Sequence, residues 1–201
     1  MTQEHRDNKV FIGPGMDGIR WGIRFVTRNW QEKYDLNVKV LETTWKDDES
    51  FDVKFDYALK EIDGAIESGD DVYVVGCSAW GQMAMNIFAE RRDEIKGAVN
   101  VGGFLRPGNR TGIRNFDRRS RQSIAFKQGV YRFVDIEPTL TEGDRKKILT
   151  IRPRFGDELV PPETVLVRGA INKTVPMGEH IAGIATALSL YDPLIIFLKD
   201  E

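Results

Sequence analysis

The sequence predicts an α/β fold built on a mainly parallel six-stranded sheet with helices on both faces. Short apolar, β-branched runs alternate with longer stretches whose apolar residues recur at helical spacing, the pattern of strands joined by crossover helices. Two of the runs, Val72-Tyr73-Val74-Val75 and Ile148-Leu149-Thr150-Ile151, are nearly all apolar, as strands covered on both faces are. With 201 residues, 41% hydrophobic and 30% charged, the chain falls among soluble globular proteins of one domain.

In chain order the expected strands are Val10 to Ile12, Val38 to Leu41, Val72 to Val75, Ala98 to Val101, Ile148 to Ile151 and Val165 to Val167. Between and after them, helices are expected over Gly18 to Tyr34, Phe51 to Glu67, Ala79 to Arg91, Ser120 to Asp135 and Ile181 to Lys199. In the second of these, Phe55, Leu59, Ile62 and Ile66 fall on one face. Asp192-Pro193 kinks or restarts the last helix, because proline has no amide hydrogen to donate there.

Residues 1–8 read as a polar leader and 9–201 as one domain. The leader has no basic start followed by an apolar run, so no signal peptide is legible and a cytoplasmic setting is expected. No stretch has the length and apolarity of a membrane span. The net charge of −2 gives no general attraction to nucleic acid. A single cysteine, Cys77, rules out an internal disulfide, and with only two histidines, His5 and His180, a histidine metal site is not expected. Any imidazole chemistry therefore rests on His180, since His5 lies in the leader.

The third expected strand runs into Gly76-Cys77-Ser78-Ala79-Trp80-Gly81 and then a helix-forming stretch. Strand, sharp turn and helix together lift a serine to an exposed tip, with backbone amides and the helix dipole beside it. This motif resembles the nucleophile elbow of the α/β-hydrolase superfamily, which usually reads Gly-x-Ser-x-Gly. Gly76 and Ser78 match, as does Gly81 in a further position, and Trp80 departs from it. A tryptophan there opens the turn, swings over the substrate pocket, or marks an elbow that has lost its activity. Cys77 reads as a small buried residue.

The fifth strand leads into Phe155-Gly156-Asp157-Glu158-Leu159-Val160-Pro161, which resembles the superfamily's acid loop, with Asp157 as the acid. Val175-Pro176-Met177-Gly178-Glu179-His180 resembles the loop that carries the base before the last helix. Serine, acid and histidine follow in that fold's chain order, each after a strand. Asn172 is a rival for the acid and is rejected, because it supplies an amide instead of a carboxylate. Glu158 and Glu179 are assigned to solvent.

Gly13-Pro14-Gly15-Met16-Asp17-Gly18 resembles the glycine-rich loop after the superfamily's third strand. The resemblance implies oxyanion donors at the amides of Met16 and Ala79, with Gly15 allowing close approach and, with Trp80, bordering the pocket. It also implies a reduced fold lacking the first two strands, with the second strand lying outside the first. The implied activity is a serine hydrolase cleaving an ester or related acyl bond of a small molecule, using Ser78, Asp157 and His180 and no cofactor or metal. A non-catalytic protein that binds a ligand or partner through the same cleft is the second reading, and a nucleotide-binding parallel-sheet domain the third. The segment 106–147 is lid-like and opens with Arg106, Arg110, Arg114, Arg118, Arg119 and Arg121, opposed locally only by Asp117. It is either a solvated face or a rim that attracts an anionic substrate, polyanion or partner.

Overall fold

In the computed structural model, which describes residues 7–17, 20–112 and 115–199, six strands pair side by side in one sheet. They are β1 (Asn8–Gly13), β2 (Leu36–Val40), β3 (Asp71–Cys77), β4 (Gly97–Val101), β5 (Ile148–Pro153) and β6 (Ile171–Val175). Their spatial order is β2-β1-β3-β4-β5-β6, with every neighbouring pair parallel. The second strand thus lies outside the first, as expected. The expected leader with His5, the start of the first helix at Gly18, and Arg114 fall outside the described residues, apart from the last of the leader.

Alternation along the strands sends apolar side chains to two separate cores. Phe11, Val72, Val74, Ala98 and Ile148 face a layer made by α3 (Phe51–Glu67), α4 (Gly81–Glu90) and α6 (Ile124–Ile136). Val10, Ile12, Val75, Val99 and Ile151 face α1 (Arg20–Thr27), α2 (Trp30–Tyr34), α8 (His180–Leu190) and α9 (Asp192–Leu198). A sheet covered on both faces explains why its central strands carry almost no polar residues. Among the described residues no single helix is long and apolar enough to cross a membrane, and α8 and α9 meet at a 57° bend.

Three expected helices are interrupted, each for a local reason. The expected helix ending at Tyr34 breaks between α1 and α2, where the Thr27 hydroxyl donates to the Ile23 carbonyl, a bond that bends helices. The stretch from Ser120 divides into α5 (Phe116–Ser120) and α6, because Ser123 is extended and its hydroxyl accepts the Phe126 amide as an N-cap. The last helix restarts at Asp192-Pro193. A further helix that was not expected, α7 (Glu142–Lys146), starts at Thr141, which closes a reciprocal capping box with Asp144.

The sixth strand is not where the sequence suggested. Val165 and Val167 are buried, but the carbonyls of Val165, Leu166 and Val167 accept hydrogen bonds from the side chains of Asn100, Arg106 and Asn172 respectively. Backbone acceptors engaged in this way belong to an irregular segment, and the edge strand is Ile171–Val175, which holds the rejected Asn172 itself. That strand is mostly exposed and polar, so it carries no apolar signal.

Trp80 is fully buried, contrary to the expectation that it borders the substrate pocket. Its indole lies against β1 at Gly13, where an added Cβ would stand 1.7 Å from a ring carbon, and its Nε1 donates to the Thr43 hydroxyl at 2.9 Å. Gly13 pairs in register with Gly76, whose own bare backbone meets the Trp80 carbonyl oxygen. Removing the ring leaves a cavity, and Trp80→Ala is expected to lower stability by about 3–5 kcal/mol in urea denaturation. Gly13→Ala is expected to destabilise the parent strongly and the Trp80→Ala background little. Additive losses in that double-mutant cycle would contradict the packing described.

Candidate active site

β3 ends at Cys77, and a single 3₁₀ turn, Ser78–Trp80, leads directly into α4. At the turn Ser78 has φ +53°, a left-handed conformation that costs a residue with a side chain on the order of 1 kcal/mol or more. Close packing holds it there. A Cβ on Gly76 would stand 2.4 Å from the Trp80 carbonyl oxygen, one on Gly81 2.0 Å from Asn100 Oδ1, and one on Gly103 2.3 Å from the Ser78 carbonyl oxygen. Strand and helix therefore cross at backbone contact.

Asn100, which sequence reasoning passed over, lies beneath this crossing. It is fully buried, accepts the Gly103 amide at 3.0 Å and donates to the carbonyls of Gly103 and Val165 at 3.0 Å each. Its signal was a lone polar residue inside the apolar run Ala98 to Val101.

The structure brings the three expected side chains together. Ser78 Oγ is 2.9 Å from His180 Nε2, and His180 Nδ1 is 2.7 Å from Asp157 Oδ2. The other carboxylate oxygen, Oδ1, accepts the amides of Leu159 and Val160 at 2.8 Å each. An ionised carboxylate only accepts, so this pairing places the ring proton on Nδ1 and leaves Nε2 free to accept from the serine hydroxyl. Asp157 and His180 are 3% and 2% exposed, so little water competes for these bonds. Gly102, at φ +65°, passes under the imidazole, where a Cβ would stand 3.4 Å from Cε1.

Glu158 is half-buried and Glu179 exposed, as expected of a residue assigned to solvent, but both also bind backbone amides. Glu158 Oε2 accepts the backbone amide of His180 at 3.0 Å. Glu179 is the N-cap of α8 and accepts the amides of Ile181 and Ala182 at 3.0 and 2.6 Å. The Ala182 amide above all holds the Glu179 carboxyl below its usual range; burial opposes this, while the Ile181 amide, Glu158 and the nearby His180 reinforce it. His180 is thus the first residue of a helix whose start is fixed by two neighbouring carboxylates.

A cavity of about 220 Å³ opens beside Ser78. Gly15, Met16 and Ala79 form its wall at the serine, and Gly15 passes so close that a Cβ would stand 3.0 Å from that of Ser78. Ile23 and Val26 of α1 and Ile184 and Leu188 of α8 line one side, and Phe104 and Phe126 lie elsewhere on the wall. Cys77 also borders it, but is 1% exposed, and burial pushes its thiol up to about 12. Among the described residues no group of three His, Cys, Asp or Glu is placed to hold a metal ion.

The arginine-rich segment is less unopposed than its sequence suggests. Arg106 pairs with Glu137 at 2.6 Å and Arg110 with Glu163 at 2.9 Å, both carboxylates arriving from distant sequence. Of the expected lid, α6 belongs to the core, with Phe126, Val130 and Phe133 buried. Arg119 of α5 and Gln122 in the following turn are what this segment adds to the cavity wall besides Phe126.

No family model matches the sequence, and no curated protein is significantly similar to it. Solved structures are similar in fold. A metagenome-derived lipolytic enzyme, from work on LipS and LipT, superposes with a TM-score of 0.64 at 12% identity, covering 96% of this chain and 94% of the other. The enol-lactonase of Burkholderia xenovorans gives 0.65 at 13% identity, covering 98% and 93%. S-formylglutathione hydrolase of Agrobacterium tumefaciens gives 0.65 at 14% identity, covering 98% and 85%.

The cap on α8 predicts an acid sensitivity of defined sign. A carboxyl whose folded value is depressed adds stability above its unfolded value, about 4.3 for glutamate, and that stability is lost as pH falls through the depressed value. Glu179→Gln is therefore expected to remove part of the acid-side fall in stability between about pH 5 and 3. Superimposable acid unfolding curves for parent and variant would show that Glu179 has no such part.

Proposed function

We propose that this chain, an α/β-hydrolase by fold, is a serine hydrolase that cleaves an ester or related acyl bond of a small molecule. The observation that carries this reading is the unbroken hydrogen-bond relay from Ser78 through His180 to Asp157, with the serine at the wall of an apolar cavity. The proteins of similar fold include a lipolytic enzyme, an enol-lactonase and an S-formylglutathione hydrolase, which agrees with acyl chemistry at such a site.

In this mechanism Ser78 Oγ attacks the acyl carbon while its proton passes to His180 Nε2. Asp157 holds the imidazole by Nδ1 and offsets the positive charge that forms on it. Collapse of the tetrahedral adduct breaks the bond to the leaving group, which takes the proton from His180. Water, deprotonated by the same imidazole, then attacks the acyl-serine, releases the acid and returns the proton to Oγ. The amides of Met16 and Ala79 are assigned to the developing oxyanion, because both residues line the cavity next to Ser78. Serine, imidazole and carboxylate supply nucleophile, base and orienting charge, so the reaction calls on no metal or organic cofactor.

The reading as a non-catalytic binding protein drew its support from Trp80. With its ring buried under β1 and Ser78 still in the left-handed conformation, that residue gives no ground for it.

A fluorophosphonate probe is expected to label the protein at Ser78, and Ser78→Ala to abolish the adduct. Failure of the folded parent to label would count directly against the acyl-enzyme. Asp157→Asn is expected to lower kcat on a reactive aryl ester by about 10⁴-fold, because the amide favours the wrong imidazole tautomer. A loss below about tenfold would remove Asp157 from the mechanism.

A further inference from the structure

The helix that walls one side of the cavity turns two aromatic rings outward. Trp21 and Phe25 of α1 are 77% and 59% exposed, while Ile23 and Thr27 of the same helix are buried and Gly22, Ile23 and Val26 line the cavity. Four residues make about one helical turn, so the two rings stand one above the other on a face of their own. α1 packs against α8, where Ile181 is 52% exposed and, with the exposed Ala185 a turn further on, also lines the cavity. The apolar wall of the cavity thus reaches the surface along α8, next to the helix that carries the rings.

Positive charge accompanies these rings. Arg24 and Arg28, again one turn apart, form the neighbouring row, and both are exposed. Arg28 lies over the Phe25 ring at 4.0 Å and has no carboxylate partner among the described residues. Arg20 pairs with Glu42, and Arg24 reaches the same carboxylate oxygen only at 3.8 Å, so one carboxylate faces two guanidiniums. The molecule holds its own contrast on α3. There Val53 and Tyr57 are a similar exposed pair one turn apart, but the residues before each of them are Asp52 and Asp56, both exposed.

We propose that the outer face of α1 docks on a lipid bilayer that carries anionic headgroups. Trp21 and Phe25 enter the boundary between headgroups and acyl chains, where large rings gain most from leaving water. Arg24 and Arg28 stay at the level of the phosphates, to which their charge draws the helix. The helix lies on the surface and spans nothing. Docking in this way sets the edge of the cavity against the acyl region, a route for apolar molecules that avoids water. The pair on α3 has the rings and lacks the cations, so an anionic surface repels it.

Tryptophan emission tests this directly. Trp30, Trp45 and Trp80 are at most 2% exposed, so Trp21 is the tryptophan whose surroundings change on docking. Mixed vesicles of phosphatidylglycerol and phosphatidylcholine are expected to shift the parent's emission to the blue, and brominated acyl chains in them to quench it. Vesicles of phosphatidylcholine alone are expected to do far less. Absence of both shift and quenching in the parent overturns the proposal, and because this arm needs no variant it decides even where a substitution harms folding. An equal response to the uncharged vesicles overturns the role of the arginines.

Cosedimentation with the mixed vesicles supplies the second arm. Trp21→Ser with Phe25→Ser is expected to abolish it. Arg24→Gln with Arg28→Gln is expected to lower the partition coefficient by about 10- to 30-fold, the range for removing two cations from an anionic surface. Val53→Ser with Tyr57→Ser on α3 is expected to bind as the parent does. Parent-like binding by the α1 aromatic variant, or an equal loss in the α3 variant, overturns the assignment of the face. Every arm reads binding and none reads turnover, so the result stands apart from the serine hydrolase reading.

Discussion

Ser78 sits in a backbone conformation that its own side chain disfavours, and the crossing of β3 and α4 is arranged so that it has no easier alternative. Three glycines, Gly76, Gly81 and Gly103, let backbones touch around the turn. Asn100 ties the loop after β4 to the irregular stretch at Val165 and stands against Gly81. Strain of this kind persists only where packing over-determines it. Here the packing comes from three segments, around 76–81, 100–103 and 165, so the serine is presented by the fold as a whole and not by its turn alone.

The same logic fixes the partners. Asp157 spends one carboxylate oxygen on two amides of its own loop and the other on the imidazole, which leaves it little freedom to turn. His180 opens α8, and Glu158 and Glu179 bind the first amides of that helix, including its own. The two glutamates thus set where the helix begins and with it the height of the imidazole over Gly102. A site assembled from chain segments distant in sequence gains its precision from such local ties.

Most of the architecture was legible because it follows from burial. Central strands with both faces covered must be apolar, and amphipathic helices must show their stripe; α3 falls on the expected residues without adjustment. Ser78, Asp157 and His180, which the structure brings into one hydrogen-bonded chain, were picked out by residue type, loop context and chain order. What the sequence hid depended on side-chain to backbone bonds. Val165 to Val167 has the composition of a strand, yet its carbonyls are taken by Asn100, Arg106 and Asn172. Glu158 and Glu179 look like ordinary surface acids until the amides they bind are in view, and the counter-charges of Arg106 and Arg110 come from distant sequence.

Trp80 and Gly13 carry a lesson about how such a protein is recognised. The motif that Gly76-Cys77-Ser78-Ala79-Trp80-Gly81 resembles usually has a glycine two residues after the serine; here Trp80 stands in that place, and Gly13 on a neighbouring strand leaves the space that its indole fills. The room for the side chain after the turn is thus given by a residue about 67 positions away in the chain, not by the turn itself. A search keyed to letters contiguous in the chain passes over an exchange of this kind. One that asks whether the room around the turn is vacated from any direction would find it.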